Sequence, residues 1–135
     1  GGQGAIVRIP VEEVKKIVEQ FRKDGIVAIS GYNSKSQIVV SGEERVLKEI
    51  AKAVKERKGR FIPLKTSLPF HSPLMKKAEE EFSHFLNRVN LKKPSITYIS
   101  SVIAEPIEDK ERIREVLISQ ITKPVNTRFL QNFFK

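Results

Sequence analysis

The sequence contains no cysteine, no tryptophan, one methionine and two histidines. The first absence excludes a disulfide framework, a zinc–thiolate site, an iron–sulfur cluster and a cysteine nucleophile. His71 and His84 are too few to build a histidine metal site, so no bound metal or other cofactor is expected. No uninterrupted apolar run approaches the roughly 18 residues that a membrane-spanning helix requires. The chain does not open with a charged-then-apolar leader either, so a cytoplasmic location without membrane contact is the expectation. What is present is a globular balance, with 39% apolar and 30% charged residues over 135 positions. A chain of this length forms one domain, or one domain with an appended piece, and buries about two-thirds of its unfolded surface. Lys and Arg number 25 against 16 Asp and Glu, giving a net charge of +9. Lys15, Lys16, Lys48, Lys52, Lys55, Lys76 and Lys77 are scattered over the polar faces of expected helices, the pattern of a solvated surface. Charge sign alone does not choose among nucleic acid, anionic lipid, phosphorylated cofactors and acidic proteins.

The first half alternates strand and helix signals. Residues 5–9 read as a strand, and Pro10 opens a helix whose apolar stripe is Val11, Val14, Ile17, Val18 and Phe21, with Gly25 as its stop. A second strand over 26–30, a turn-rich loop over 31–36 and a third strand over 37–40 follow. Ser41 and Glu44 have the spacing of a capping box for a helix that buries Val46, Leu47, Ile50 and Val54 and stops at Gly59. A fourth strand covers 60–64. The order β-α-β-β-α-β predicts a four-stranded antiparallel sheet with both helices on one face, the ferredoxin-like arrangement.

The second half has another rhythm. Ser72 and Pro73 read as an N-cap and first helical residue before an apolar stripe of Leu74, Ala78, Phe82, Phe85, Leu86 and Val89. Residues 95–102 read as an apolar strand ended by Ala104-Glu105-Pro106. Asp109 caps a helix with inner face Ile113, Val116, Leu117, Gln120 and Ile121, stopped by Lys123-Pro124. Residues 126–134 form a last amphipathic turn or two, with Phe129, Phe133 and Phe134 read as core and His84 as a surface residue.

The stretch Leu68-Pro69-Phe70-His71-Ser72-Pro73-Leu74-Met75 is the most informative. It places a histidine directly before a proline-started helix, in the connection that leaves the small unit. A general base must be held so that a ring nitrogen meets the nucleophile's proton, and such a connection is rigid at both ends. A lone histidine near a helix start is also commonly structural, and composition alone leaves both readings open.

Pro69-Phe70-His71-Ser72-Pro73-Leu74-Met75, together with Tyr32-Asn33-Ser34 and Gln37-Ile38-Val39-Val40-Ser41-Gly42, resembles the malonyl-CoA:acyl carrier protein transacylases. Val102, Ala104-Glu105-Pro106 and Gln120-Ile121-x-x-Pro124-Val125 are similar to that family in the same order, so the likeness spans residues 4–134. The resemblance implies an α+β fold. Residues 4–65 would be a ferredoxin-like βαββαβ small subdomain, and residues 66–135 helices and a strand from the C-terminal part of an α/β-hydrolase-like acyltransferase core. It further implies malonyl transfer from coenzyme A, a substrate rather than a bound cofactor, to the phosphopantetheine thiol of acyl carrier protein in fatty acid biosynthesis. By the same likeness His71 is the catalytic base, the backbone carbonyl of Gln120 orients its ring, and Asn33 lies near the acyl group.

One departure is large. The family's nucleophile sits in a G-x-S-x-G elbow, and none occurs here; Ser30, Ser34, Ser41, Ser67 and Ser72 all lack the flanking glycines. Gly2-Gln3-Gly4 is similar to the family's N-terminal Gly-Gln-Gly, but it runs straight into the first strand and reads as a tag scar or shortened loop. The chain therefore reads as the C-terminal half of such an enzyme, inactive alone. Its partners would be acyl carrier protein, malonyl-CoA and either the missing N-terminal half or a second copy. The strand over 96–102 and the Phe82/Phe85/Leu86 stripe would otherwise be left without cover. The competing readings are a ferredoxin-like RNA-binding module, favoured by charge but with no aromatic on the strands over 5–9 and 37–40 and Phe61 the only strand aromatic of the small unit, and a non-catalytic interaction module. With the transacylase resemblance, no nucleic acid is expected.

Overall fold

A computed structural model describes residues 1–130. Its first half is built of β1 (Gly2–Val7), α1 (Val11–Phe21), β2 (Val27–Ser34), β3 (Gln37–Gly42), α2 (Glu44–Glu56) and β4 (Arg60–Pro63), with a 3-10 turn (Arg22–Asp24) after α1. The strands form one sheet in the order β2-β3-β1-β4, and every neighbouring pair is antiparallel. The predicted β-α-β-β-α-β order is the order found. The reason is periodicity. Ile6, Ile38 and Val40 point to the same side as Val27 and Ile29, and there they meet Val14, Ile17 and Val18 of α1 and Val46, Leu47, Ile50 and Val54 of α2. Glu12 and Glu13 lie in the first turn of α1, where carboxylates suit the positive end of the helix.

The opposite side of the sheet is also closed. Ala5, Ser30, Val39 and Ser41 are buried although they alternate with the core residues. The second half of the chain covers them: Ser41 donates to the carbonyl of Phe70, and Val125 forms a short parallel bridge to Gly31. Among the described residues this second half holds a 3-10 turn (Pro73–Met75), α3 (Lys76–Leu86), β5 (Tyr98–Ile99), β6 (Pro106–Ile107), α4 (Lys110–Ser119) and α5 (Thr127–Leu130). Asp109 caps α4 as expected, its carboxylate accepting from the Glu111 amide at 3.2 Å. No helix among the described residues is long and apolar enough to cross a membrane.

Several expectations are corrected. The Gly2-Gln3-Gly4 segment is not a loop but the first half of β1, in register with Gly42, Ser41 and Val40 of β3. Residues 31–34 belong to β2, which continues through two irregularities in which Ser30 and Asn33 are the extra residues; such bulges bend a strand without ending it. Tyr32 is therefore a second strand aromatic besides Phe61. Ser41 does not cap α2. The cap position is Glu43, with no side-chain bond, and the Ser41 hydroxyl lies on the far side of the sheet. Ser72 likewise makes no cap bond, its hydroxyl turning back to the Pro69 carbonyl. At the end of α2 the left-handed residue is Lys58 (φ 62°), which donates to Lys55, while Gly59 donates to Val54; the pair forms a Schellman motif. Gly59 is needed instead for room, since a Cβ there would collide with Ile9.

The strand expected over 95–102 shrinks to two residues. The Ser100 hydroxyl accepts from the Val102 and Ile103 amides and turns the chain back toward β6. Ile96 is left 81% exposed and Phe85 58% exposed, so the α3 stripe lacks cover on its outer edge. Phe129 is exposed rather than core, with the Arg128 guanidinium 5.5 Å from its ring centre; Phe133 and Phe134 lie outside the described residues. His84 is a surface residue, as read.

Candidate functional site

His71 sits in the link between the two halves and adopts a left-handed backbone, φ 59°. A non-glycine residue in this region costs on the order of 1 kcal/mol and persists only where neighbours hold it. Those neighbours are visible on both sides. The carbonyl of Phe70 accepts from Ser41 Oγ at 2.8 Å and from Gln3 Nε2 at 3.2 Å, and the Gln3 amide also donates to Ser41 Oγ at 2.9 Å. Thr66 donates to the other end of the Gln3 amide at 3.3 Å. Behind the histidine, Ser72 Oγ bonds the Pro69 carbonyl. The backbone that carries the imidazole is thus pinned to β1 and β3.

The ring itself is held from the other half. Its Nδ1 lies 2.7 Å from the carbonyl oxygen of Gln120, the C-cap residue of α4. Carbonyls at a helix C-terminus have no intrahelical partner and are available to such a donor. Because a carbonyl only accepts, Nδ1 carries the proton, and in the neutral ring the lone pair resides on Nε2. An imidazole in that tautomer can take a proton at Nε2 while Nδ1 stays anchored, the arrangement a general base requires.

Two cavities meet at His71. The first, of about 430 Å³, lies between α1, β2 and the second half, and Lys15, Arg22, Tyr32, Thr122 and Lys123 contribute to its wall with His71. The second, of about 440 Å³, is apolar and is lined by Phe70, Met75, Phe82 and Leu117 beside His71 and Gln120. Arg22 is paired with Glu19 at 2.8 Å and Lys15 with Glu12 at 3.6 Å, so part of the positive charge at the first cavity is already compensated. Among the described residues no group of three His, Asp or Glu side chains could hold a metal ion.

Of the residues singled out from the sequence, His71 and Gln120 are brought together. Asn33 is not brought to them: as the extra residue of a bulge it lines neither cavity, and its neighbour Tyr32 does instead. Sequence reasoning missed Gln3 and Ser41 as the supports of Phe70, and it missed Thr122. For Ser41 a signal existed, since it falls on the side of β3 opposite Ile38 and Val40.

The whole of this arrangement falls inside a match to the family model described as "Acyl transferase domain", which covers residues 2–131. The malonyl CoA-acyl carrier protein transacylase of Bacillus subtilis is 34% identical over 127 residues, 93% of this chain and 40% of that protein. The crystal structure of the malonyl CoA-acyl carrier protein transacylase from Clostridium perfringens is 37% identical, with a TM-score of 0.87 over 92% of this chain and 39% of that one. A malonyl-transacylase solved in complex with its type II PKS acyl-carrier protein is 25% identical, with a TM-score of 0.89 over 96% of this chain and 42% of that one. The chain spans about two fifths of the length of the curated relatives it matches.

Proposed function

The chain belongs to the acyl transferase domain family, and from that premise we propose that it carries the general base of a malonyl-CoA:acyl carrier protein transacylase acting in fatty acid biosynthesis. The observation that carries the reading is the 2.7 Å contact between His71 Nδ1 and the Gln120 carbonyl at the edge of a cleft shared by both halves. In the first half-reaction, a serine hydroxyl gives its proton to His71 Nε2 as its oxygen attacks the thioester carbonyl of malonyl-CoA. The tetrahedral intermediate collapses, and the departing coenzyme A sulfur takes that proton from Nε2. In the second, the phosphopantetheine thiol of acyl carrier protein gives its proton to Nε2 while its sulfur attacks the acyl-serine. The serine oxygen leaves and recovers the proton. His71 is thus protonated and deprotonated twice per turnover while the Gln120 carbonyl keeps its ring in place, the task a carboxylate fills in other serine–histidine sites. Coenzyme A enters as substrate, and no bound cofactor takes part.

The strand order β2-β3-β1-β4 supports reading residues 4–65, with the first strand reaching back to Gly2, as a ferredoxin-like small subdomain. Residues 66–135 then form the C-terminal segment of an α/β-hydrolase-like core; Asn33 stays a substrate contact on the family likeness alone, since its neighbour Tyr32 and not Asn33 lines the cavity at His71. The likeness to a transacylase in complex with an acyl-carrier protein supports that partner, and a basic chain suits an acidic one. Cytoplasmic location, and contact with an N-terminal half or a second copy, complete the proposal. The rival RNA-binding reading is disfavoured because the two aromatics on the four-stranded sheet, Tyr32 and Phe61, pack against the core. The 135 residues contain no G-x-S-x-G, so the chain by itself is expected to transfer no malonyl group.

A chimera that joins this chain to the part of the Bacillus subtilis relative outside the matched 40% provides the test. It should move malonyl from coenzyme A to acyl carrier protein, and His71→Ala should lower kcat by about 10²-fold or more, while His84→Ala leaves it unchanged. A folded, active chimera indifferent to His71→Ala refutes the proposal.

A further inference from the structure

We propose that Glu79 is a positioning residue for His71, acting through Thr122 and the Gln120 carbonyl; the inference rests on the general-base reading above. Glu79 lies on α3, the helix that starts just after His71, and its side chain is only 14% exposed. A carboxylate withdrawn from water to that degree needs partners, and it has two. Oε1 lies 3.6 Å from Lys76 Nζ, and Oε2 accepts from the Thr122 hydroxyl at 2.6 Å. Thr122 stands in the turn that follows Gln120, where the Thr122 and Lys123 amides both return to the Ser119 carbonyl. The segment 71–79 is therefore joined to the segment 120–122 twice, once by imidazole to carbonyl and once by hydroxyl to carboxylate.

The double connection matters for direction. The amides of residues 121–123 already tie this turn to the end of α4, and the hydroxyl–carboxylate bond adds the tie that fixes it against α3, the helix that follows the His71 link. Without Glu79, the Thr122 hydroxyl keeps only the Ser119 carbonyl at 3.5 Å, the limit of a useful hydrogen bond. The carboxylate thus holds the turn in the orientation that offers the Gln120 carbonyl to Nδ1. It touches no reacting atom, and its effect is confined to which ring nitrogen carries the proton.

The tautomer of His71 is the direct readout. Nitrogen-15 NMR of the imidazoles in the 135-residue chain, at a pH where they are neutral, should show His71 protonated on Nδ1, with His84 as internal control. Thr122→Val and Glu79→Ala should each shift the His71 tautomer ratio toward Nε2–H by about fivefold, the scale of one modest hydrogen bond. Glu79→Gln, whose amide oxygen still accepts from Thr122, should restore the native ratio, and a merely structural contribution to stability would not move the ratio at all. An unchanged ratio in both disruptive variants overturns the proposal, and so does Glu79→Gln behaving like Glu79→Ala. Should Thr122→Val not fold, judged by the His84 signals and a thermal melt, Glu79→Ala against Glu79→Gln decides alone. Native His71 found protonated on Nε2 would instead strike the general-base geometry, which separates the two failures.

Discussion

Replacing Ser41 separates two roles that one hydroxyl could have. As a helix cap, it would be lost at a cost of about 0.5–2 kcal/mol in Ser41→Ala and retained or improved in Ser41→Asp, since aspartate is among the best caps. The structure assigns a different role. Ser41 is fully buried, donates to the Phe70 carbonyl at 2.8 Å and accepts from Gln3 at 2.9 Å. Ser41→Ala removes both of these hydrogen bonds, and the remaining Gln3–Phe70 bond at 3.2 Å compensates both partners in part, so the loss is about 1–2 kcal/mol. Aspartate at the same place brings a charge into a closed site and points acceptor oxygens at the Phe70 carbonyl. That should cost about 3 kcal/mol or more. Urea unfolding followed by circular dichroism resolves the difference. With a slope of about 2 kcal/mol/M, Ser41→Ala should lower the midpoint by about 0.5–1 M and Ser41→Asp by about 1.5 M or more. A Ser41→Asp protein as stable as the parent refutes the buried-clamp assignment and returns Ser41 to the helix end.

Two further substitutions test close packing and backbone strain. The Phe61 ring covers Gly4, and a Cβ there would fall onto it, so Gly4→Ala should destabilise by about 1–3 kcal/mol. Pairing it with Phe61→Leu should recover part of that in a double-mutant cycle by urea unfolding, and strictly additive costs would contradict the contact. Lys58→Gly goes the other way: relieving a left-handed residue at the end of α2 should raise stability by about 0.5–1 kcal/mol, read as a rise in the thermal midpoint, and a drop would speak against the strain.

Much of the small unit was legible locally. The stripes of α1 and α2 and the alternation of Ile38 and Val40 prescribe elements whose apolar sides must meet, and they do. Asp109 announced the start of α4. The errors fall where a local signal had two possible uses. Ser41 with Glu44 has cap spacing, yet its hydroxyl serves the Phe70 carbonyl; Ser72 does hold the position before the turn that Pro73 opens, but its hydroxyl bonds the Pro69 carbonyl rather than a turn amide. The strand over 95–102 is cut to Tyr98–Ile99 because Ser100 turns the chain after two ladder pairs with β6.

The residues of the candidate site divide along the same line. Their types and order carried the family likeness, and with it the expectation that His71 and the Gln120 carbonyl meet. Sequence alone also determined that no cysteine thiol of these 135 residues takes part, since they hold none. Only the tertiary structure decided what holds that histidine, because the Ser41, Gln3 and Gln120 contacts join positions 29 to 67 residues apart. Periodicity and capping rules act within a few residues. The partner of a buried polar group is set by which distant surfaces the apolar core brings face to face.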